Sequence, residues 1–150
     1  MGRVLAIDVG LKRCGLAWSD PLQLIAHNLE GCLRQELFCK VDRLVTQESI
    51  SVIVLGLPKR LNNEPTHITE DVWQLARQIK QKYPTIQVFL LDERFTSKIA
   101  TATLLQAGVS KKQRADKNKI DAISATILLQ DFLEIWHRKG NTIIEVLLSD

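Results

Sequence analysis

The stretch from Val4 to Asp20, V-L-A-I-D-V-G-L-K-R-C-G-L-A-W-S-D, constrains the fold more than any other part of the chain. Val4, Leu5, Ala6 and Ile7 form a continuous apolar run, the pattern of a strand covered on both faces. Asp8 arrives where that run ends, and Gly10 follows where the backbone must turn. A second apolar run then begins at Gly15 with Leu16, Ala17 and Trp18. A carboxylate at the end of a buried central strand is costly unless it is paired or binds a metal. Taken alone, Asp8 reads equally well as a metal ligand and as an Asx-type cap of the Val9–Arg13 turn.

The rest of the chain supplies layers for this hairpin to pack against. Ser19-Asp20-Pro21 is a turn signal, and Gln23 to Asn28 is expected to be a third strand of an antiparallel meander. From Arg34 to Glu48 the apolar positions Leu37, Phe38, Val41, Leu44 and Val45 recur at helical spacing. Val52 to Leu57 is a buried strand ended by Pro58, and Lys59 to Pro65 reads as a polar loop. Thr66 is the expected N-cap of the next helix, with Glu70 and Asp71 in its first turn and Tyr83-Pro84 as its stop. Gln87 to Leu91 is the last core strand and runs into Asp92-Glu93-Arg94. A helix from Thr96 closes at Gly108. After the basic connection Val109 to Asn118, a long helix is expected from about Lys117 to Lys139. Thr142 to Leu148 is apolar enough for a further strand or a packing arm. Right-handed crossovers then give one mixed sheet with helices on both faces, an α/β layered domain of the ribonuclease H-like type. Residues 1–140 are expected to form that domain, followed by a tail, 141–150.

Several classes of protein are disfavoured by composition. The three cysteines, Cys14, Cys32 and Cys39, are odd in number and lack a C-x-x-C pair. That argues against a disulfide scaffold or a structural zinc site and suits a reducing compartment. Cys14 and Cys39 lie in apolar patterns and are expected in the core. Charges at Asp8, Lys12 and Arg13 interrupt any early apolar stretch that could act as a signal peptide. The longest apolar run, Val52 to Leu57, is too short to span a membrane. A cytoplasmic location with no membrane partner is therefore expected.

Ligands of parallel α/β sheets gather at the carboxyl ends of the strands. Asp8 sits at one such end and Asp92-Glu93 at another. Carboxylates from strands distant in sequence, converging on one rim, are what a magnesium site requires, because that ion takes hard oxygen ligands. A third acid, Asp121, falls in the first turns of the final helix. Its same-face neighbours one turn on, Ser124 and Ala125, are small enough to let the helix approach the sheet. Asp121 reads also as an acid favoured by the helix dipole alone, and Asp116 competes for the same role. Basic residues crowd the connections near these acids: Lys12 and Arg13, Lys59 and Arg60, and Lys111, Lys112, Arg114, Lys117 and Lys119. The net charge is only +3, so the distribution rather than the sum suits a phosphate backbone. Aromatic residues make up 5% of the chain, too few for base stacking to dominate binding.

These motifs resemble the YqgF family, also called RuvX. The resemblance rests on D-V-G-x-K-R-x-G-x-A-x-S-D at Asp8–Asp20, V-L-G-L-P at Val54–Pro58, D-E-R-F-T at Asp92–Thr96 and D-A-x-S-A-x-x-L-L-Q at Asp121–Gln130. It covers Val4 to about Glu134. It implies a ribonuclease H-like nuclease with a five-stranded sheet in the order 3-2-1-4-5, strand 2 antiparallel. Members are described as Holliday junction resolvases and as nucleases processing the 5′ end of the 16S ribosomal RNA precursor. The family's acidic triad falls on Asp8, Glu93 and Asp121, which would hold Mg2+ or Mn2+. Lys12, Arg13, Arg94, Arg114 and Lys119 would then contact the phosphates of precursor ribosomal RNA or branched DNA, in a monomer or a homodimer. Leu11 stands where the family usually has threonine, and Trp18 is bulkier than the usual residue there. A non-catalytic nucleic-acid-binding module is the alternative, although a scaffold has no need to keep all three acids.

Overall fold

Strand β1 (Arg3–Val9) lies inside a six-stranded sheet, and the pattern of its residues explains why. Val4, Leu5, Ala6 and Ile7 are each fully buried, which a strand achieves only when both faces are covered and both edges are paired. The computed structural model describes residues 2–57, 67–92, 117–138 and 143–147. In chain order the other elements are β2 (Arg13–Ser19), β3 (Ala26–Leu33), α1 (Leu37–Gln47, preceded by the 3-10 turn Arg34–Glu36), β4 (Ile50–Leu57), α2 (His67–Lys82), β5 (Gln87–Asp92), α3 (Lys117–Arg138) and β6 (Ile143–Val146).

The strand order is β3-β2-β1-β4-β5-β6. β1 pairs antiparallel with β2 and parallel with β4; β4 and β5 are parallel, and β5 and β6 antiparallel. The expected order 3-2-1-4-5 is present, with six strands where five were expected. The added strand is Ile143–Val146, whose segment read as either strand or arm. It pairs along β5 and buries Val146 against the core.

Two apolar layers follow from strand alternation. Leu5, Ile7, Leu16, Ile53 and Leu90 meet the buried stripes of α1 and α2 on one face. Val4, Ala6, Ala17, Val54 and Phe89 meet α3 on the other, through Ala125, Leu128, Leu129 and Phe132. Phe89 packs against both Phe132 and Trp136, with ring centroids 5.6 and 5.0 Å away. Cys14 is buried as expected, but Cys39 is exposed. It sits two positions beyond Leu37 on α1, about 200° around the helix from that buried residue.

Strand β3 starts at Ala26, three residues later than the sequence pattern suggested. The carboxylate of Asp20 accepts hydrogen bonds from the backbone amides of Leu22 (3.1 Å), Leu24 (2.8 Å) and Ile25 (2.7 Å), folding this segment into a loop. Those donors, Ile25 foremost, hold the Asp20 carboxyl below its ordinary range. Gln23 adopts φ 61°, incompatible with a strand, while its side-chain amide donates to the Gly2 carbonyl at 2.7 Å. β3 then continues to Leu33 through an irregularity that sets Glu30 and Gly31 beside Gly15. A Cβ on Gly31 would lie 2.7 Å from the Cys14 carbonyl oxygen, so glycine permits this close approach.

The Lys59–Pro65 loop, the Thr66 cap, the Thr96–Gly108 helix and most of the Val109–Asn118 connection lie outside the described residues. Among the described residues no helix is long and apolar enough to cross a membrane.

Candidate functional site

Asp8 is the sixth of the seven β1 residues and the first after the fully buried run to remain partly exposed. Its parity is that of Val4 and Ala6, so it belongs to the α3 face of the sheet. On β2 its directly paired residue is Gly15. On β4, Ile7 is level with Leu55, and Gly56 is the next residue along. A side-chain-free residue therefore stands on each side of Asp8 in the sheet. That relieves the crowding a carboxylate would otherwise meet at the end of a central strand.

Two contacts fix the direction of α3. Near its C-terminus, His137 Nε2 donates to the Gln23 carbonyl at 2.9 Å, at the end of the sheet where β1 begins. Nearer its N-terminus, the Thr126 hydroxyl bonds to the side-chain oxygen of Asn28. Asn28 pairs with Ala17, which pairs with Ala6, so Thr126 is level with the middle of β1. α3 thus runs antiparallel to β1. Position 121 lies five residues before Thr126, about 7.5 Å along the axis at 1.5 Å per residue. Asp8 lies two residues beyond Ala6, about 6.6 Å at roughly 3.3 Å per residue. The two positions are level. Position 121 also falls one helical turn before Ala125, which lies on the buried stripe with Leu128 and Phe132.

The third acid of the expected triad, Glu93, lies outside the described residues, as do Arg94, Arg114 and Asp116. The strand leading to it is described: Gly56 pairs with Leu91, and Leu57 with Asp92, at the end of β5. One strand, β4, separates β5 from β1, a spacing of about 9.6 Å between backbones. Lys119 is in the first turn of α3, at the rim to which β1 delivers Asp8. Among the described residues no three His, Cys, Asp or Glu side chains gather into a metal-binding group.

Lys12 and Arg13 follow Asp8 in the β1–β2 turn, Lys12 exposed and Arg13 half-buried. A Cβ on Gly10 would lie 2.4 Å from the Arg13 carbonyl oxygen, so the turn closes tightly on itself. Leu11, at 68% exposure, projects from it. Trp18 is accommodated away from the rim, half-buried, with the Arg3 guanidinium 4.5 Å above its ring.

Three charged residues have structural settings that no local sequence signal gives. Arg34 and Asp71 form a bidentate ion pair across 37 residues of chain. Asp131 is buried on α3. None belongs to a motif, and pairing at such distance leaves no periodic mark.

A family model described as "RuvX: Holliday junction resolvase" matches residues 2–135. A Bacteroides fragilis protein named "Putative pre-16S rRNA nuclease" is 44% identical over 134 residues, covering 89% of this chain and 97% of that protein. An Amoebophilus asiaticus protein of the same name is 39% identical over 138 residues, covering 92% of this chain and 98% of its own length. Among solved structures, that of T. thermophilus RuvC in complex with a Holliday junction substrate is similar, with a TM-score of 0.57 and 13% identity. The match covers 97% of this chain and all of that one, so the fold is of the RuvC, ribonuclease H-like kind.

Proposed function

This chain belongs to the RuvX family, and on that premise we propose that it is a divalent-metal-dependent nuclease that trims the 5′ end of precursor 16S ribosomal RNA. The observation that carries the reading is the setting of Asp8. It stands at the carboxyl end of a central strand, between Gly15 and Gly56, level with position 121 of α3 on the same face. The substrate comes from the shared name of the relatives that span the chain.

The surroundings of Asp8 fit a hard cation. The donor is a partly exposed carboxylate, its sheet neighbours bear no side chain, and the nearest helix brings a second acid to its level. Asp8, Glu93 and Asp121 are the residues that would hold Mg2+ or Mn2+. Glu93 follows directly in sequence on Asp92, the last residue of β5. Such an ion, when bound, supplies Lewis-acid stabilisation of a phosphoryl oxygen and lowers the pKa of coordinated water.

The chain's own contribution is to hold the polyanion over these acids. Lys12 and Arg13 lie in the turn that leaves Asp8, where their charges meet backbone phosphates without reading base identity. Arg94, Arg114 and Lys119 are the further cations that would contact phosphates in this reading. Trimming one RNA end requires a single site, so a monomer suffices. Such a reaction belongs to the cytoplasm, where ribosomes are assembled.

The family description favours a second reading, symmetric cleavage of a DNA four-way junction, which needs two sites and hence a dimer. Incubating the purified protein with Mg2+ and either a 5′-extended 16S precursor RNA or a synthetic junction separates the two. Cleavage at the mature 5′ end of the RNA is expected. Cleavage of the junction alone would replace the reading with the second, and tight binding without cutting of either would replace it with a non-catalytic module.

A further inference from the structure

Among the described residues, Arg34 differs from Lys12 and Arg13 in being held by a bidentate ion pair within the protein. It opens the 3-10 turn after β3, and its side chain is 23% exposed. Nη1 donates to Asp71 Oδ2 at 2.7 Å and Nη2 to Asp71 Oδ1 at 2.8 Å. Nη1 also donates to the Gly10 carbonyl at 3.4 Å, and the Arg34 backbone amide donates to the Lys12 carbonyl at 2.8 Å. One residue therefore holds two carbonyls of the short turn between Asp8 and the body of β2. Asp71, in the second turn of α2, anchors that residue to the helical layer on the opposite face from α3.

We infer that Arg34 and Asp71 are a positioning pair that fixes the Gly10–Arg13 turn, so that Lys12 and Arg13 meet substrate phosphates from a preformed loop beside Asp8. This deepens the nuclease reading of the rim and rests on it. Geometry rather than ion-pair strength suits the pair to this role. A partly exposed salt bridge contributes little by itself, whereas the planar fork of arginine engages a carboxylate with both terminal nitrogens and still reaches a carbonyl. Lysine offers a single point charge and cannot reproduce both contacts. A merely structural ion pair would tolerate Arg34→Lys; a positioning pair would not.

The test compares Arg34→Lys and Asp71→Asn with the wild type in three measurements on the full chain: thermal unfolding, amide hydrogen exchange across Gly10–Cys14, and steady-state cleavage of precursor RNA. Both variants are expected to unfold near the wild-type temperature. Exchange in the turn should accelerate about tenfold, matching the loss of one charge-assisted hydrogen bond. kcat/KM should fall about tenfold or more, as misplacement of substrate-holding groups does, with part of the loss in a raised KM. Wild-type exchange and wild-type kcat/KM in Arg34→Lys would overturn the inference, and so would faster exchange with unchanged kcat/KM. If the wild-type protein cuts no nucleic acid, the nuclease reading fails on its own. The exchange data then decide the clamp separately, and unchanged exchange overturns it.

Discussion

Replacing Asp131 with asparagine should stabilise the protein at neutral pH, by an amount that follows from the setting of this carboxyl. Asp131 lies on α3 at 5% exposure, and its Oδ2 has no hydrogen-bond partner among the described residues. Burial, reinforced by the negative charge of Glu134, pushes the group up to about 6 from 3.8. An acid whose folded-state pKa is raised binds its proton more tightly in the native state. Its favourable contribution is complete below about pH 3.8 and is lost as pH rises through about 6. At about 1.4 kcal/mol per pH unit, this gap amounts to at most ~3 kcal/mol of native-state destabilisation at pH 7.5. Asn keeps the shape of the side chain and cannot ionise. Asp131→Asn should therefore match the wild type at pH 4 and exceed it by up to ~3 kcal/mol at pH 7.5. Urea unfolding at both pH values, followed by tryptophan fluorescence, measures the difference. Equal stabilities at pH 7.5, or the same gap at both pH values, would refute the reasoning. Position 121 is ten residues away, about 15 Å along the helix, so cleavage per folded molecule should not change.

Three further outcomes follow from packing, backbone conformation and charge. Phe132→Ala removes a fully buried ring from between α3 and the sheet and should cost about 3–5 kcal/mol in chemical denaturation. Gln23→Ala gives up the bond to the Gly2 carbonyl and keeps the left-handed backbone, so it should destabilise by about 1 kcal/mol. Gln23→Gly gives up the same bond but relieves the backbone, and its melting temperature should lie above that of Gln23→Ala. Lys12→Ala should weaken RNA binding uniformly across sequences and reduce the slope of log affinity against log salt by about 1, read from filter binding at several salt concentrations.

Much of the layered fold was legible because its signals are local. The apolar runs at Val4, Gly15, Val52 and Gln87 read as strands, and each is a strand. The helical spacing from Arg34 set the bounds of α1 to within a residue or two, allowing for its 3-10 entry. The final helix, expected to run to Lys139, is described from Lys117 to Arg138. What escaped the sequence depends on partners far along the chain. β3 begins late because the Asp20 carboxylate gathers three amides ahead of it. Ile143–Val146 becomes a strand because β5 offers an edge, a fact absent from its own residues. Cys39 looked buried only because its neighbours are apolar; the stripe of Leu37, Val41 and Leu44 turns it outward.

The candidate site shows the same division. Asp8 was visible as an acid at the end of an apolar run, and Asp121 as an acid one turn ahead of small residues. Their common level on the α3 face follows from contacts made by Thr126 and His137, which carry no motif. The Arg34–Asp71 clamp was invisible, since Arg34 reads only as the start of a helical segment and Asp71 only as a first-turn acid of the next helix.

In the proposed function the Asp8 carboxylate serves phosphodiester cleavage rather than capping a turn. The most direct measurement is the rate at which Asp8→Asn cuts a 5′-extended 16S precursor RNA in saturating Mg2+, beside its melting temperature and its affinity for the same RNA. Loss of cleavage with melting and affinity close to wild type is the predicted result. Cleavage at the wild-type rate by a clean preparation of this variant would contradict the account.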